Sequence, residues 1–248
     1  MAAYDFSAPR LFVEAPLAVG ARIVLDRGQA NYLGNVLRLK AGDDVLVFNG
    51  RDGEWRAGLA AEGRKNLTLT CLEQTRPQVP LNDLLYLFAP LKHARLDYMV
   101  QKAVEMGAGA LKPVFTRRTQ ASRVNRERMR LNVIEAAEQC GILAVPEVLP
   151  EEDFAPAIKG LEPDRLVVFC DEEAPAANPL HALGQAGNTG GKLGVVVGPE
   201  GGFTDEERAL VLGHPRCVRI SLGPRILRAD TAAVAVLAAV QAALGDWR

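Results

Sequence analysis

The sequence predicts an α/β protein in two parts, and three observations carry that reading. From residue 81 onward, short apolar strands alternate with amphipathic helical stretches, the pattern of a mainly parallel sheet flanked by helices. Before it, residues 11–75 hold several short strands divided by turn residues, the pattern of a small β-barrel or sandwich. Late in the chain, GPEGGFTDEE (198–207) and LGPRILRADTA (222–232) each follow an apolar strand and lead into a helix. Two such loops describe a ligand crevice at the carboxyl ends of strands.

In the first part, ARIVL (21–25), DDVLVFNG (43–50), EWRAGLA (54–60) and LTLTCLE (67–73) have strand composition, and AGD, NGRDG and EGRKN between them are turn chemistry. One helix is expected over 29–39, with Leu33, Val36 and Leu37 on one face. RPQVP (76–80) reads as a linker, so residues 1–75 and 76–248 are expected to be separate domains. In the second part the strands are DLLYLFAP (83–90), ALKPVF (110–115), LVVFC (166–170), LGVVVG (193–198) and CVRISL (217–222), the last with one face less buried. A helix with Leu96, Met99, Val100, Ala103 and Met106 at three- and four-residue spacing follows the first strand and closes at Gly107. A second helix, over 125–140, turns Met129, Val133, Ile134 and Ala137 inward. The final helix, TAAVAVLAAVQAAL (231–244), presents small side chains nearly all round and is expected to be buried on the sheet or against a partner subunit. GQAGNTGGK (184–192) reads as a flexible loop.

Composition excludes several classes. With 248 residues, 48% apolar and 24% charged, the chain has the make-up of a soluble globular protein. Its net charge of −1 means that an anionic partner has to be met by a local patch. Cys71, Cys140, Cys170 and Cys217 are far apart, without a CxxC or an adjacent histidine, so neither a metal site nor a disulfide framework is expected and a reducing cytoplasm fits. The first residues lack the apolar run of a signal peptide, and the most apolar stretch, 231–244, falls short of the roughly 20 residues that span a bilayer.

The two loops narrow the ligand. A helix is expected to start at Thr204 with Glu207 three residues on, a capping box. Glu200, Asp205, Glu206 and Glu207 crowd that helix end and would repel a phosphate. AGNTGGKL (186–193) lacks the first Gly and the final Ser/Thr of a phosphate-binding P-loop, and no GxGxxG is present. The loop therefore suits a neutral or cationic ligand approached by backbone, an adenosine or a sulfonium, against the alternative of a tight turn with no ligand. Arg225 and Arg228 suit an RNA phosphate or an anion forming on a substrate, against the alternative of structural pairs with carboxylates. Lys112, Arg117, Arg118, Arg123, Arg126, Arg128 and Arg130 fall within nineteen residues that contain one acid, Glu127. That segregation fits a nucleic-acid backbone, against a merely solvated basic face. Arg38, Lys40, Arg51, Arg56, Arg64 and Lys65 add a weaker signal in the first part.

GPEGGFTDEE, LGPRILRADTA, QKAVEMGA (101–108), EAAEQCG (135–141) with VPEV soon after, and NVLRLKAGD (35–43) stand in the order found in the RsmE family, which the whole chain resembles. Members are bacterial methyltransferases that modify N3 of a uridine in small-subunit (16S) ribosomal RNA. The resemblance implies a PUA-like barrel for RNA, then a SPOUT domain whose chain forms a deep trefoil knot, which general connection rules would not have suggested. It implies S-adenosylmethionine as methyl donor, a homodimer, and 16S rRNA within an assembled small ribosomal subunit as substrate. Position by position, the cofactor loops match Val197, Gly198, Pro199, Glu200, Gly201 and Gly202, with Ile220, Leu222, Gly223 and Leu227. Arg225 and Arg228 match the signature arginines and are expected to stabilise charge on the uracil, with Glu200 as proton acceptor or as a tie for its loop. Arg38, Arg117, Arg118, Arg123 and Arg126 are the expected RNA contacts. Ile142, Tyr32 and ADTA depart from the family's arginine, histidine and TETA, and bear on RNA contact more than on the cofactor. A related methyltransferase acting on another RNA position, and an RNA-binding assembly factor without catalysis, stay open.

Overall fold

The computed structural model describes residues 8–62, 66–92, 94–175, 177–187 and 190–247. Residues 63–65 of the turn EGRKN, with Arg64 and Lys65, His93, the start of the chain through Ser7, and residues 188–189 of the expected flexible loop lie outside these. The chain up to Pro80, joined by Ala137–Val145, forms one compact unit; Leu81–Ala136 and the chain from Pro146 onward form the other.

The first unit contains β1 (Arg10–Phe12), β2 (Arg22–Val24), the short helix α1 (Arg27–Asn31), β3 (Asp44–Phe48), β4 (Glu54–Glu62) and β5 (Asn66–Arg76). They form one mixed half-barrel sheet in the order β1-β3-β4-β5-β2, in which only the β1–β3 pair is parallel. β1 was not legible in the sequence, and Arg76, expected in the linker, is the last residue of β5. Leu11, Ile23, Leu33, Val45, Val47 and Leu69 fill the interior. A buried ion pair, Arg10 to Glu54 at 3.0 Å, is set into the same unit.

The expected helix over 29–39 is displaced. An Asp26–Gln29 capping box starts α1 two residues earlier, and a π-helical turn, Tyr32–Val36, follows it. The wider turn shifts the phase, so Leu33 is fully buried while Val36 is exposed, contrary to the expected apolar face. Arg38, with φ 57°, then sends the chain away in a left-handed conformation.

The second unit runs β6 (Leu84–Phe88), α2 (Ala94–Glu105), β7 (Ala110–Phe115), α3 (Arg126–Cys140), β8 (Glu147–Val148), β9 (Glu152–Asp153), α4 (Phe154–Lys159), β10 (Leu166–Cys170), α5 (Pro179–Gly184), β11 (Leu193–Val197), α6 (Asp205–Leu212), β12 (Cys217–Ile220) and α7 (Ala229–Ala243), with α3 continuing into the first unit. The sheet is parallel throughout, in the order β12-β10-β11-β6-β7-β8, with β9 also beside β7. Its central strands are buried on both faces, which explains their continuous apolar runs. α2 buries Met99, Val100, Ala103 and Val104 and stops at Gly107, whose φ of 80° only glycine adopts readily. α7 is not covered all round: Ala233, Val236, Leu237 and Val240 face inward, while Thr231, Val234, Ala235, Ala238, Ala239 and Ala242 form a partly open face of mostly small side chains.

Candidate functional site

Register places the site. Cys170 at the end of β10 lies beside Val197 of β11 on one side and Ile220 of β12 on the other. The chain leaves the sheet at all three points, and the departing loops line a cavity of about 310 Å³. This is the carboxyl-end crevice expected of an open parallel sheet, at the small end of the usual range for ligand sites. Val197, Gly198, Pro199, Glu200, Gly201, Gly202, Leu222, Gly223 and Leu227 line it, with Arg225 at its edge. Ile220 is buried beneath and does not. Cys170, Asp171, Glu172 and Ser221 line it as well, contributed by the β10 loop and the exit of β12.

The glycines have steric causes. A Cβ on Gly198 would stand 2.5 Å from the ring of Phe203, and one on Gly202, where φ is 70°, 2.1 Å from a carboxylate oxygen of Glu172. Phe203 is buried against Phe169 and Phe154, with ring centroids 5.0 and 5.3 Å away, and so nails the loop into the core. Arg118 holds the same loop from outside, donating to the Gly201 carbonyl at 2.7 Å. At Gly198 and Gly202 the loop therefore has no room for a side chain, which leaves main-chain groups there for a flat adenosine to approach.

The electrostatics differ from the expected open cluster of acids. Glu200 is paired with Arg95, which also grips Asp230 through two bonds of 3.0 Å. The Arg95 guanidinium holds the Asp230 carboxyl below its usual range. Asp205 pairs with Arg208 at 3.1 Å. Asp171, fully buried, is gripped by Arg208 at 3.0 Å and Arg219 at 2.7 Å. At α6 the Glu207 carboxylate takes the N–H of Thr204 at 2.9 Å and that of Arg117 at 2.7 Å, and with Asp205 and Glu206 it keeps the helix start negative and unsuited to phosphate. Burial, followed by the nearby Glu172 and Asp171 carboxylates, pushes the Cys170 thiol up to about 12.

Arg225 and Arg228 are exposed, and neither side chain has a hydrogen-bond or ion-pair partner among the described residues. Arg228 is also the N-cap position of α7, without a capping side chain. Arg117, Arg118 and Arg123 are exposed along one stretch of the second unit. Arg126 is paired with Glu151 at 3.4 Å, Lys112 with Glu152 at 2.8 Å and Arg128 with Asp97 at 2.6 Å, so much of the basic run is balanced within the fold. Arg38 stands exposed in the first unit. Sequence reasoning missed Arg95, Phe203 and the Asp171–Arg208 pair. Only Phe203, a bulky aromatic just before an N-cap, left a local sign. Among the described residues, no group of three His, Cys, Asp or Glu side chains is placed to hold a metal, and no helix is long and apolar enough to cross a membrane.

Comparison with known proteins gives these loops their context. The family model for the RNA methyltransferase domain matches residues 77–241, and that for the RNA methyltransferase PUA domain matches 25–71. The ribosomal RNA small subunit methyltransferase E of Rickettsia conorii is 31% identical over 94% of this chain and 94% of its own length. Its counterpart in Synechocystis is 34% identical over 95% of this chain and 78% of its own. The crystal structure of the Neisseria gonorrhoeae ribosomal RNA small subunit methyltransferase E bound to S-adenosyl methionine superposes with a TM-score of 0.85, at 29% identity, covering 97% of this chain and all of that one. With its glycine-lined crevice, its loop carrying Arg225 and Arg228, and relatives matched over more than nine-tenths of its length, the chain belongs to the RNA methyltransferase family, among the ribosomal RNA small subunit methyltransferases E.

Proposed function

We propose that this protein transfers a methyl group from S-adenosylmethionine to N3 of a uridine in 16S ribosomal RNA. One observation supports this above the rest: the cavity at the ends of β10, β11 and β12 is lined by the glycine-rich 198–202 turn and by 221–227, with the exposed side chains of Arg225 and Arg228 in or next to the second loop. The backbone of 197–202 and 222–227 would hold the adenosine and methionine parts of the cofactor. When bound, S-adenosylmethionine supplies a methyl group already activated by its sulfonium.

The protein's task is then positioning and charge control. Uracil N3 must lose its proton, and negative charge spreads onto the flanking carbonyl oxygens. Arg228 and Arg225, unmatched by any carboxylate of the described residues, would meet that charge. Leu227 and Leu222 help keep the cavity dry, which strengthens such a contact. The first unit serves as an RNA-binding domain and the second as the transferase domain. Arg38 in the first, with Arg117, Arg118, Arg123 and Arg126 in the second, contact the RNA backbone. Arg38 supports that assignment by its conformation, since a non-glycine residue held left-handed costs about 1 kcal/mol and persists where function keeps it. The open small-residue face of α7 fits a second copy of the chain, and the cytoplasm, where ribosomal subunits mature, is the working compartment.

Nucleoside mass spectrometry of 16S rRNA from cells lacking this protein tests the reading. 3-Methyluridine should disappear and return with the wild-type chain, but not with Arg228→Ala. An unchanged 3-methyluridine content overturns it, and calorimetry showing no heat with S-adenosylmethionine reduces the protein to an RNA-binding factor.

A further inference from the structure

The loops that wall the cavity leave β11 and β12, which are not neighbours, because β10 lies between them. Nothing in the sheet ties one loop to the other, so any link has to come from elsewhere. Arg95 supplies it. The residue stands in the first turn of α2, a helix fixed by the burial of Met99, Val100, Ala103 and Val104. Its Nε and Nη2 donate to the two carboxylate oxygens of Asp230, each at 3.0 Å, and its Nη1 donates to Glu200. Asp230 lies in the first turn of α7, and Glu200 is the centre of the GPEGG turn. One planar guanidinium therefore ties the GPEGG turn to the helix start in which the second loop ends, and satisfies two carboxylates that would repel each other without it.

We propose that Arg95 is a positioning residue that clamps the two cofactor loops together, and that Glu200 belongs to this clamp instead of accepting the uridine proton. The proposal rests on the reading of the cavity as an S-adenosylmethionine site and deepens it. The Glu200 carboxylate oxygen that Nη1 of Arg95 reaches is engaged in the link, while Nε and Nη2 stay on Asp230, so Glu200 serves to tie its turn to the start of α2. Lysine at position 95 presents a point charge and cannot bond both carboxylates in one plane, so the chemistry calls for arginine here.

The test is calorimetry of the full chain with S-adenosylhomocysteine, using Arg95→Met, Glu200→Gln and the double variant, with Arg95→Lys as the conservative change. Each single variant should weaken binding about tenfold, and the double no more than the weaker single, because both remove one link. Arg95→Lys should recover part of the loss. Hydrogen exchange should quicken in residues 198–202 and 229–232 of Arg95→Met. Should Arg95→Met fail to fold, Arg95→Lys and Glu200→Gln carry the same comparison. Wild-type affinity in the single variants, or losses that multiply in the double, overturns the clamp. So does a Glu200→Gln enzyme that binds normally while losing the pH dependence of kcat, since Glu200 would then be the proton acceptor. A wild-type chain that binds no S-adenosylhomocysteine removes the cavity assignment itself, and the clamp with it.

Discussion

Glu207 of α6 accepts the backbone N–H of Arg117, ninety residues earlier in the chain, at 2.7 Å, while its other oxygen accepts that of Thr204 at 2.9 Å. One buried carboxylate therefore caps a helix and fastens the end of β7 to it. Glutamine has a single acceptor oxygen, so Glu207→Gln sets an amide donor against one of the two N–H groups. The expected cost is about 1–3 kcal/mol, read as a lower urea midpoint with an unchanged slope.

Gly198→Ala tests the packing of the cofactor loop. The added methyl would meet the ring of Phe203 at 2.5 Å, and that ring is wedged between Phe154 and Phe169. Overpacking of this kind costs about 1–3 kcal/mol. Because the strain falls on the turn itself, binding of S-adenosylhomocysteine should be lost more completely than stability, as calorimetry beside a thermal melt would show.

Arg38 separates stability from RNA binding. Glycine adopts the φ of 57° found there without strain, so Arg38→Gly should leave the melting temperature unchanged or raise it. Filter binding to 16S rRNA should nonetheless weaken, with a shallower dependence on salt, if one phosphate contact has gone. Equal affinity for both proteins would remove Arg38 from the RNA surface.

Acid should loosen the second unit through its ion pairs. Arg165 holds the Glu162 carboxyl down to about 2 from an ordinary 4.5, and Arg95 holds Asp230 low as well. For groups depressed in the folded state, the stabilisation is complete above the unfolded pKa and is lost as pH falls toward the folded one. Unfolding midpoints should therefore decline between pH 4.5 and about 2, and Glu162→Gln should flatten part of that slope. Glu162 is half exposed, which makes its share small.

How much of this was legible depended on the range of each signal. Apolar runs such as LVVFC and LGVVVG gave the parallel strands, and Thr204 with Glu207 gave the start of α6, because those patterns are local. β1 is three residues long and carries Arg10 in a buried ion pair, so no alternation marks it. Val36 was misplaced because a π-helical turn breaks the period that the reading assumed. Ala137–Val145 joins the first unit although Ala137 resembles any other inward position of α3. The charges were the hardest to read. Counting acids in GPEGGFTDEE gives a negative bowl, yet Arg95 matches Glu200 from a position that no spacing rule connects, and Arg208 matches Asp205 three residues along α6.

The pairing of Leu84 with Leu193 has a bearing on how the protein is born. β6 emerges early in synthesis, yet its neighbour β11 is translated more than a hundred residues later, which at about 5–20 residues per second is a wait of several seconds. Through that interval a nascent strand of this enzyme has β7 on one side and stands open on the other. Holdase chaperones should find it there, and methyl transfer can begin only once the last third of the polypeptide has cleared the translating ribosome.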